Sequence, residues 1–583
     1  MISIVGTGGA SNQSSNYGVN VTGTNSIISA AGNLVSVTGT GGGLTATGDN
    51  SGIVLQAGGK ISNTGLGDVM INASGSSFGG ANIGMMIFGA GSGVFTTDGD
   101  INVIANGNGA SNTTNNLGAL IFNQGVIQST GNGNVEVTGT GGIGSGTGQV
   151  GVSLSSLNSG IFSTHGDVTV NGNGGGSGIS NASHGIRILS GAAIASTGSG
   201  HVFVNAQGGP GTGSNNSGLV MQNTDSRISS SSGNITVTGT GGSTGVSGST
   251  LGISMTSGSK INAQNNGNIL LQATGGPGSG SNNYGMSVND ADIQTTDGNI
   301  TIQAMGGGTG TSASGIGLNM GTTSLILAGG AGQVIIEATG GPGSGAGNYG
   351  AELSAAGTLI TTDGGNLQMT CTGGGASGSS NNNGLNMSSG ASIKAGGNGQ
   401  TIVTGTGGLG ENLSNLGIRV SGANTKISSS GGNVIINGTG GGSGAGGSSH
   451  GVYIESGGVI TAELAGHVMV TGTGGPGTGT SNQGIVIINT GAAITSGGGD
   501  IEIIGVEGGG SSGVGFVTSN FGAVSSVANG GNISIAANSM VIQSALATSS
   551  TDTFFLKPLD AGEDIQLAIT GDPIGGPLQL TDA

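Results

Sequence analysis

The chain has 583 residues, of which 138 are Gly, 25 are Asp or Glu, only 8 are Lys or Arg, one is Cys and none is Trp, for a net charge of −17. Charged residues make up 6%, far below the roughly one quarter of an ordinary globular domain; collagen is excluded because Gly is not every third residue and Pro numbers 7. Disorder, which goes with low hydrophobicity and high charge, is at odds with 33% apolar residues placed at regular intervals.

Eight basic residues leave no patch able to neutralise a phosphate backbone, so no nucleic-acid partner is expected. No run approaches the roughly 18 apolar residues of a membrane helix, so no membrane span is expected either. The lone Cys371 cannot form an intramolecular disulfide. In Leu367-Gln-Met-Thr-Cys-Thr it reads as a small buried or half-buried strand residue, not a reactive thiol.

The opening Met1-Ile-Ser-Ile-Val-Gly-Thr-Gly-Gly lacks the basic and apolar regions of a signal peptide and starts inside a repeat, as expected of a piece of a longer chain with its export signal upstream. The repeat begins with Asn or Asp, then apolar-x-apolar and a Gly-rich run, as in Asn134-Val-Glu-Val-Thr-Gly-Thr-Gly-Gly and Asn234-Ile-Thr-Val-Thr-Gly-Thr-Gly-Gly. Its first apolar slot recurs at 17 positions: 2, 35, 69, 101, 135, 168, 202, 235, 269, 300, 334, 367, 401, 434, 468, 501 and 533, spaced by 31 to 34 residues. Thr401 is the one polar occupant.

Every interval holds a second element, Gly followed by apolar-x-apolar, such as Gly185-Ile-Arg-Ile or Gly384-Leu-Asn-Met, degraded only at Gly515-Phe-Val-Thr. A third follows, centred on one Ile or Val and ending in Ser or Thr, as in Arg227-Ile-Ser or Asp292-Ile-Gln-Thr-Thr. Each unit is thus three short alternating strands joined by Gly/Ser/Asn turns. A single unit cannot bury its apolar row, whereas stacked units can. The predicted fold is all-β: a single-stranded parallel β-helix (β-solenoid) of about 17 coils of about 33 residues, with coils about 4.8 Å apart.

A longer period is superimposed. Gly-Gly-Pro-Gly loops carry Pro210, Pro277, Pro342 and Pro476, every second coil with one miss, and Thr-Thr-Asp-Gly turns carry Asp98, Asp297 and Asp363, which points to duplication of coil pairs. After Ile533 the pattern stops, and Phe554-Phe-Leu-Lys-Pro-Leu brings aromatics, Pro and charge. Nine of the acidic residues fall between Asp500 and Asp582. Residues 1–535 are expected to form the solenoid and 536–583 a C-terminal cap or the start of a following module, since an open coil edge needs covering.

The iterated Asn-Ile-Thr-Val-Thr-Gly-Thr-Gly-Gly units followed by Gly-Ile-x-Ile resemble the β-strand repeats of very large bacterial surface and secreted proteins, the filamentous-haemagglutinin-like adhesins. The end, Leu556-Lys-Pro-Leu-Asp-Ala-Gly-Glu-Asp-Ile-Gln-Leu567 through Leu578-Gln-Leu-Thr-Asp-Ala583, is similar to a module that follows such repeats. The resemblance implies right-handed β-helix stalks exported to the cell surface, and the family's N-terminal secretion module and distal binding domain are missing from this sequence.

No catalytic, cofactor-binding or metal site is expected. Calcium-binding solenoids need carboxylates in their Gly-rich turns, and here Asp98, Asp100, Asp297 and Asp363 read as turn residues bonding backbone. The nearest carboxylate pairs for polysaccharide cleavage, Asp290 with Asp292 and Glu502 with Glu507, lack a basic or aromatic neighbour in sequence, and Tyr is limited to Tyr17, Tyr284, Tyr349 and Tyr453. His184 and His450 precede the Gly of the second element, and His201 and His467 precede an anchor; both pairs are eight coils apart, which shared ancestry explains better than a metal site. Thr-Gly-Thr rows of an ice-binding kind (Thr38 and Thr40, Thr138 and Thr140, Thr238 and Thr240, Thr404 and Thr406, Thr471 and Thr473) are broken in most coils, for instance by Asn171 and Asn173. Lys60, Arg227, Lys260 and Lys426 precede the third-strand Ile and Arg187 and Arg419 face outward from the second; only Arg227 and Lys260 fall in adjacent coils, so all read as solubilising.

The sequence therefore suggests a non-enzymatic stalk or adhesive repeat region of a large secreted or surface-attached bacterial protein, located outside the cell or on its outer surface. Its partner would be an unknown host or surface receptor, or itself end to end. A self-assembling extracellular filament or sheath is the alternative, and an ice-binding or polysaccharide-active β-helix is less favoured.

Overall fold

Period-two alternation places every second residue of a strand on one face, and the aliphatic face turns inward in every coil. The computed structural model describes residues 1–44, 49–109, 113–526, 531–544, 546–548, 552–560 and 566–567. They form 53 strands and, among the described residues, no helix. All 17 anchors of the repeat are first residues of strands, from Ile2–Thr7 to Ile533–Ala536.

The chain divides into two units, Met1–Ser312 and Ala313–Ala583. Each is a parallel β-solenoid. In the first, ten, nine and nine strands build a first, second and third sheet; in the second, eight, nine and eight do so. Neighbouring coils pair in register, so like stacks on like: Val135 lies beside Ile101 on one side and Val168 on the other. In the second unit Leu367 lies between Val334 and Thr401.

The inward slots are the first, third and fifth residues of the first strand, the first and third of the second, and the second and fourth of the third. One coil of the first unit illustrates this with Val135, Val137, Val152, Leu154 and Ile161, all at 0% exposure. Full burial of such a side chain contributes roughly 1.5–3 kcal/mol, which offsets the conformational entropy of ordering mostly Gly-rich turns. The fifth slot is small, and Cys371 occupies it in the second unit, fully buried. Burial pushes its thiol pKa upward, as suits an inert core residue. Thr401 is also fully buried: its Oγ1 donates to the Ser428 carbonyl at 2.6 Å and accepts the Ala395 N–H at 3.0 Å.

The Gly opening the second strand has a specific cause. A Cβ on Gly118 would lie 2.4 Å from the Thr140 backbone nitrogen, and one on Gly451 would lie 2.4 Å from that of Thr473. Backbone cannot yield as a side chain can, so the corner between first and second sheets admits only Gly.

Two residues before that Gly runs a buried asparagine ladder. Asn415 is fully buried; its Oδ1 accepts the Asn382 N–H of the previous coil (3.1 Å) and its Nδ2 donates to the carbonyls of Gly410 and Asn412 (both 2.9 Å). Asn348 does the same with the Gly315 N–H and the carbonyls of Gly343 and Gly345. Asn216 and Asn283 repeat the arrangement in the first unit. Where Asn occupies this slot it holds the Gly-rich loop in its fold and joins it to its neighbour, and buried amides satisfied in this way are stabilising; other coils carry Gln149, Ser183, Thr250 or Ser449 there.

Pairing continues beyond residue 535. Phe554–Lys557 pairs with Ile533–Ala536, and Ser539–Ile542 with Phe516–Ser519. Leu546–Ala547 pairs with Ala523–Ser526, and Gln566–Leu567 with Ser539–Ile542. The coil closing on Phe554 is shorter than the rest, with Thr553 bonding Asn532 only 21 residues earlier. The segment marked off by sequence at 536 therefore begins as a shortened coil on the same sheets. Residues 578–583, which contributed to the resemblance, lie outside the described residues.

Candidate functional site

Outward chemistry concentrates on the second sheet. The residue before the corner Gly and the second residue of the following strand both face out beside the Gly-rich loop. In part of the first unit this row is apolar, with Ile83, Leu117 and Val150 packed against Met86 and Leu120. In part of the second unit it is polar. Glu352, Asn386, Arg419 and Tyr453 are in-register neighbours on successive coils.

These side chains are linked. Arg419 donates to Glu455 Oε1 through Nε (2.9 Å) and Nη2 (2.5 Å), and through Nη1 to Asn386 Oδ1 (3.2 Å). Asn386 Nδ2 donates to Glu352 Oε1 at 3.1 Å. Burial raises the Glu352 carboxyl above its ordinary pKa, and the Asn386 bond partly opposes this. Burial, then the nearby Glu352 charge, raises the Tyr349 phenol, opposed by Arg419; burial and Glu455 raise Tyr453. His450 stacks on Tyr453 with centroids 5.2 Å apart, and burial lowers its pKa to about 4. Its Nδ1 accepts the Gln483 N–H at 3.3 Å. His184, at the corresponding place in the first unit, is likewise lowered to about 4 by burial and then by the charge of Arg187.

The carboxylates of this row are not spaced as a glycosidase pair. Glu352 and Glu455 are three coils apart, about 14 Å at the coil spacing, beyond the roughly 5–10 Å between paired carboxylates of glycoside hydrolysis, and Glu455 is held by Arg419. Glu502 and Glu507, at opposite ends of one extended segment, are about 16 Å apart along the strand. Asp292 pairs with Lys260 at 3.2 Å across the register. Asp292 thus does have a basic neighbour, supplied by the adjacent coil and invisible in local sequence.

The basic residues also need correction: several are paired and not merely solubilising. Lys426 Nζ and Lys394 Nζ bond the two oxygens of Glu463 at 2.6 and 2.7 Å. Lys394, in a different slot from Lys426, makes a second adjacent pair of basic coils. Lys60 lies over the Phe95 ring, 5.6 Å from its centroid. Arg227 and Lys260 are in-register neighbours, as expected.

Asp98 Oδ1 accepts the Asn132 N–H (3.0 Å) and Asp100 Oδ1 that of Asn134 (2.7 Å), so both bond backbone, but of the next coil instead of their own turn. The Asp297 and Asp363 N–H groups donate to the Asn265 and Ala328 carbonyls. His201 and His467 stand in the same corner ladder, each accepting through Nδ1 the N–H of the next coil, from Asn234 and Asp500. Among the described residues no three His, Cys, Asp or Glu side chains gather as a metal site, and no helix is long and apolar enough to cross a membrane.

The threonine row is more continuous than sequence suggested. In the second unit Thr339, Thr372, Thr406, Thr439 and Thr473 stack in register without a break. The adjoining column is interrupted by Glu337 and Asn437. A surface groove of about 400 Å³ is lined by Asp500, Glu502, Asn532, Phe555 and Lys557 among others and is open to solvent. Comparison with known proteins leaves the chain without an assigned family: no family model matches it, and no curated protein or solved structure does so either.

Proposed function

We propose that the chain is a structural stalk or adhesive repeat region of a large secreted or surface-attached bacterial protein, mediating attachment at the cell surface without catalysis. The observation that carries this reading is the in-register stacking of fully buried aliphatic and asparagine columns through both units. Such a structure is stiff because each coil is bonded to the next through all three sheets. Several of its outward carboxylates are engaged by backbone or by Arg and Lys, among them Asp98, Asp100, Asp292, Glu455 and Glu463, which favours holding and contact over turnover. The test is adhesion of beads coated with the purified chain to cells and to abiotic surfaces. Attachment above that of uncoated beads supports the reading, and release of reducing ends from a polysaccharide panel would overturn its non-catalytic part.

A self-assembling filament is the second reading. Each coil offers the next the same three in-register parallel strands, a pattern that a coil of a second copy could match as well as one of the same chain. An open parallel edge with apolar inner residues accepts another coil. Sedimentation that shifts to larger species with concentration favours this reading; a concentration-independent species removes it.

A further inference from the structure

Arg187 and Arg419 occupy the same slot, the second residue of a second-sheet strand, one in each unit. Their surroundings differ in one respect. Arg419 has a carboxylate on the next coil, since Ser421 registers with Glu455. By the same register Leu189 lies beside Gln222, so Gln222 is to Arg187 what Glu455 is to Arg419. On the preceding coil Ser153 stands where Arg419 has Asn386.

Arg187 Nε and Nη2 both donate to a single atom, Ser153 Oγ, at 3.4 and 3.2 Å. Among the described residues no carboxylate forms an ion pair with it within 4.0 Å. A guanidinium has five N–H donors in a fixed fork, so most of its capacity is unspent while burial already works against its charge. Three residues earlier, His184 has an enclosed Nδ1 with no hydrogen-bond partner. A half-buried cation and an unpartnered ring nitrogen side by side is a costly arrangement for a purely structural surface.

We propose that Arg187 binds one carboxylate of a small ligand, such as a uronic acid, in the role that Glu455 plays for Arg419. The planar fork matches a carboxylate in bidentate fashion. The net charge of −17 disfavours multivalent anions, which leaves a singly charged group as the ligand class. This site goes beyond the stalk reading and does not depend on it.

Isothermal titration of the full chain with glucuronate at constant ionic strength, with glucose as the uncharged control, tests the proposal. Wild type is expected to bind glucuronate and not glucose, and Arg187→Gln to weaken binding by at least about tenfold. Gln222→Glu supplies the missing carboxylate in the register of Glu455 and is expected to abolish binding while leaving the coil folded. Arg227→Gln, on the third sheet, is expected to bind as wild type does. Should R187Q fail to fold, Q222E decides. Absence of glucuronate binding by wild type, or binding unchanged in Q222E, overturns the site.

Discussion

Replacing Asn415 with Ala tests whether the asparagine ladder, and not composition alone, keeps the Gly-rich loops folded. The side chain is fully buried, and its removal strands the Gly410 carbonyl and the Asn382 N–H, both buried, and the part-buried Asn412 carbonyl. It also removes the acceptor of Asn382 Nδ2, bonded at 3.0 Å. Each buried polar group left unpaired costs roughly 1–3 kcal/mol, and water entering the space left by the amide recovers part of this, so about 3–5 kcal/mol of local stability is expected to be lost. In a solenoid the loss stays near its source, because each coil contacts only its neighbours. The informative assay is therefore native-state hydrogen exchange. Amides of residues 407–417 and of the adjoining coils are expected to lose protection by roughly two to four powers of ten, with distant coils unaffected. Asn412→Ala is the control: its exposed Nδ2 donates to the Gly378 carbonyl, and its loss should cost under about 1 kcal/mol. Equal exchange in both variants, or an Asn415 effect under about 1 kcal/mol, would refute the account of the ladder.

Gly84→Ala places a Cβ 2.5 Å from the Asn106 backbone nitrogen, whereas Gly80→Ala meets nothing closer than 3.8 Å. The first is expected to cost about 3 kcal/mol and the second under about 0.5, read by urea unfolding followed with exchange. His184, lowered to about 4 in the fold from 6.5, stays neutral there while the unfolded chain gains its proton. Its contribution is full above about pH 6.5 and is lost as pH falls towards 4, by on the order of 3 kcal/mol; His184→Gln should flatten the pH dependence of exchange in that window. Thr401→Val restores the apolar pattern of the repeat yet removes both partners of Oγ1, so it is expected to destabilise by about 1–2 kcal/mol, not to stabilise. Glu455→Gln leaves the half-buried Arg419 without its carboxylate and should cost about 1–3 kcal/mol. Glu463→Gln, in the more exposed Lys394–Lys426 pair, should cost under about 1 kcal/mol and lose that effect in high salt.

The strands were legible because their signal is local. A period of two recurring every 33 residues or so marks Val135–Thr140 and its equivalents, and the same spacing fixes which coil lies beside which. The asparagine ladder was not, although Asn348, Asn382 and Asn415 lie in plain sight. In a Gly/Ser/Asn-rich loop an Asn looks like any turn residue, and only burial separates Asn415 from the exposed Asn412 three positions before it. Arg419 and Glu455 are 36 residues apart, so their pairing follows from register and from nothing nearby in sequence. Advancing each charged residue by one coil would have exposed that pair, and Lys260 with Asp292 as well. Lys394 escaped because it sits in the third slot of its strand, whereas Lys426 sits in the first. Past 535 the sheets continue, and Phe554–Lys557 keeps the alternation but comes early, after a coil shorter than the usual length.

The same register that makes the fold legible restricts where chemistry can reside. Inward columns are reserved for Val, Ile, Leu, Met and small residues, and the corner before each second strand for Gly. The corner before each first strand is taken by side-chain acceptors, Asp68, Asp100, Asn134 and Asp167 in turn, each bonding the backbone N–H of the next coil. An Asp in that position is part of the scaffold and is not free to act on a substrate. Little remains besides the loop rims and the outer row of the second sheet, where residues two faces removed from the core can vary without disturbing the stack. There the chain places two of its three Arg, at 187 and 419, with His184, His450, Tyr349 and Tyr453 close by in sequence and fold. A repeat protein that gains a binding function without losing its stack has that row to change first, and the one Arg there without a carboxylate partner is where a ligand has the most to offer.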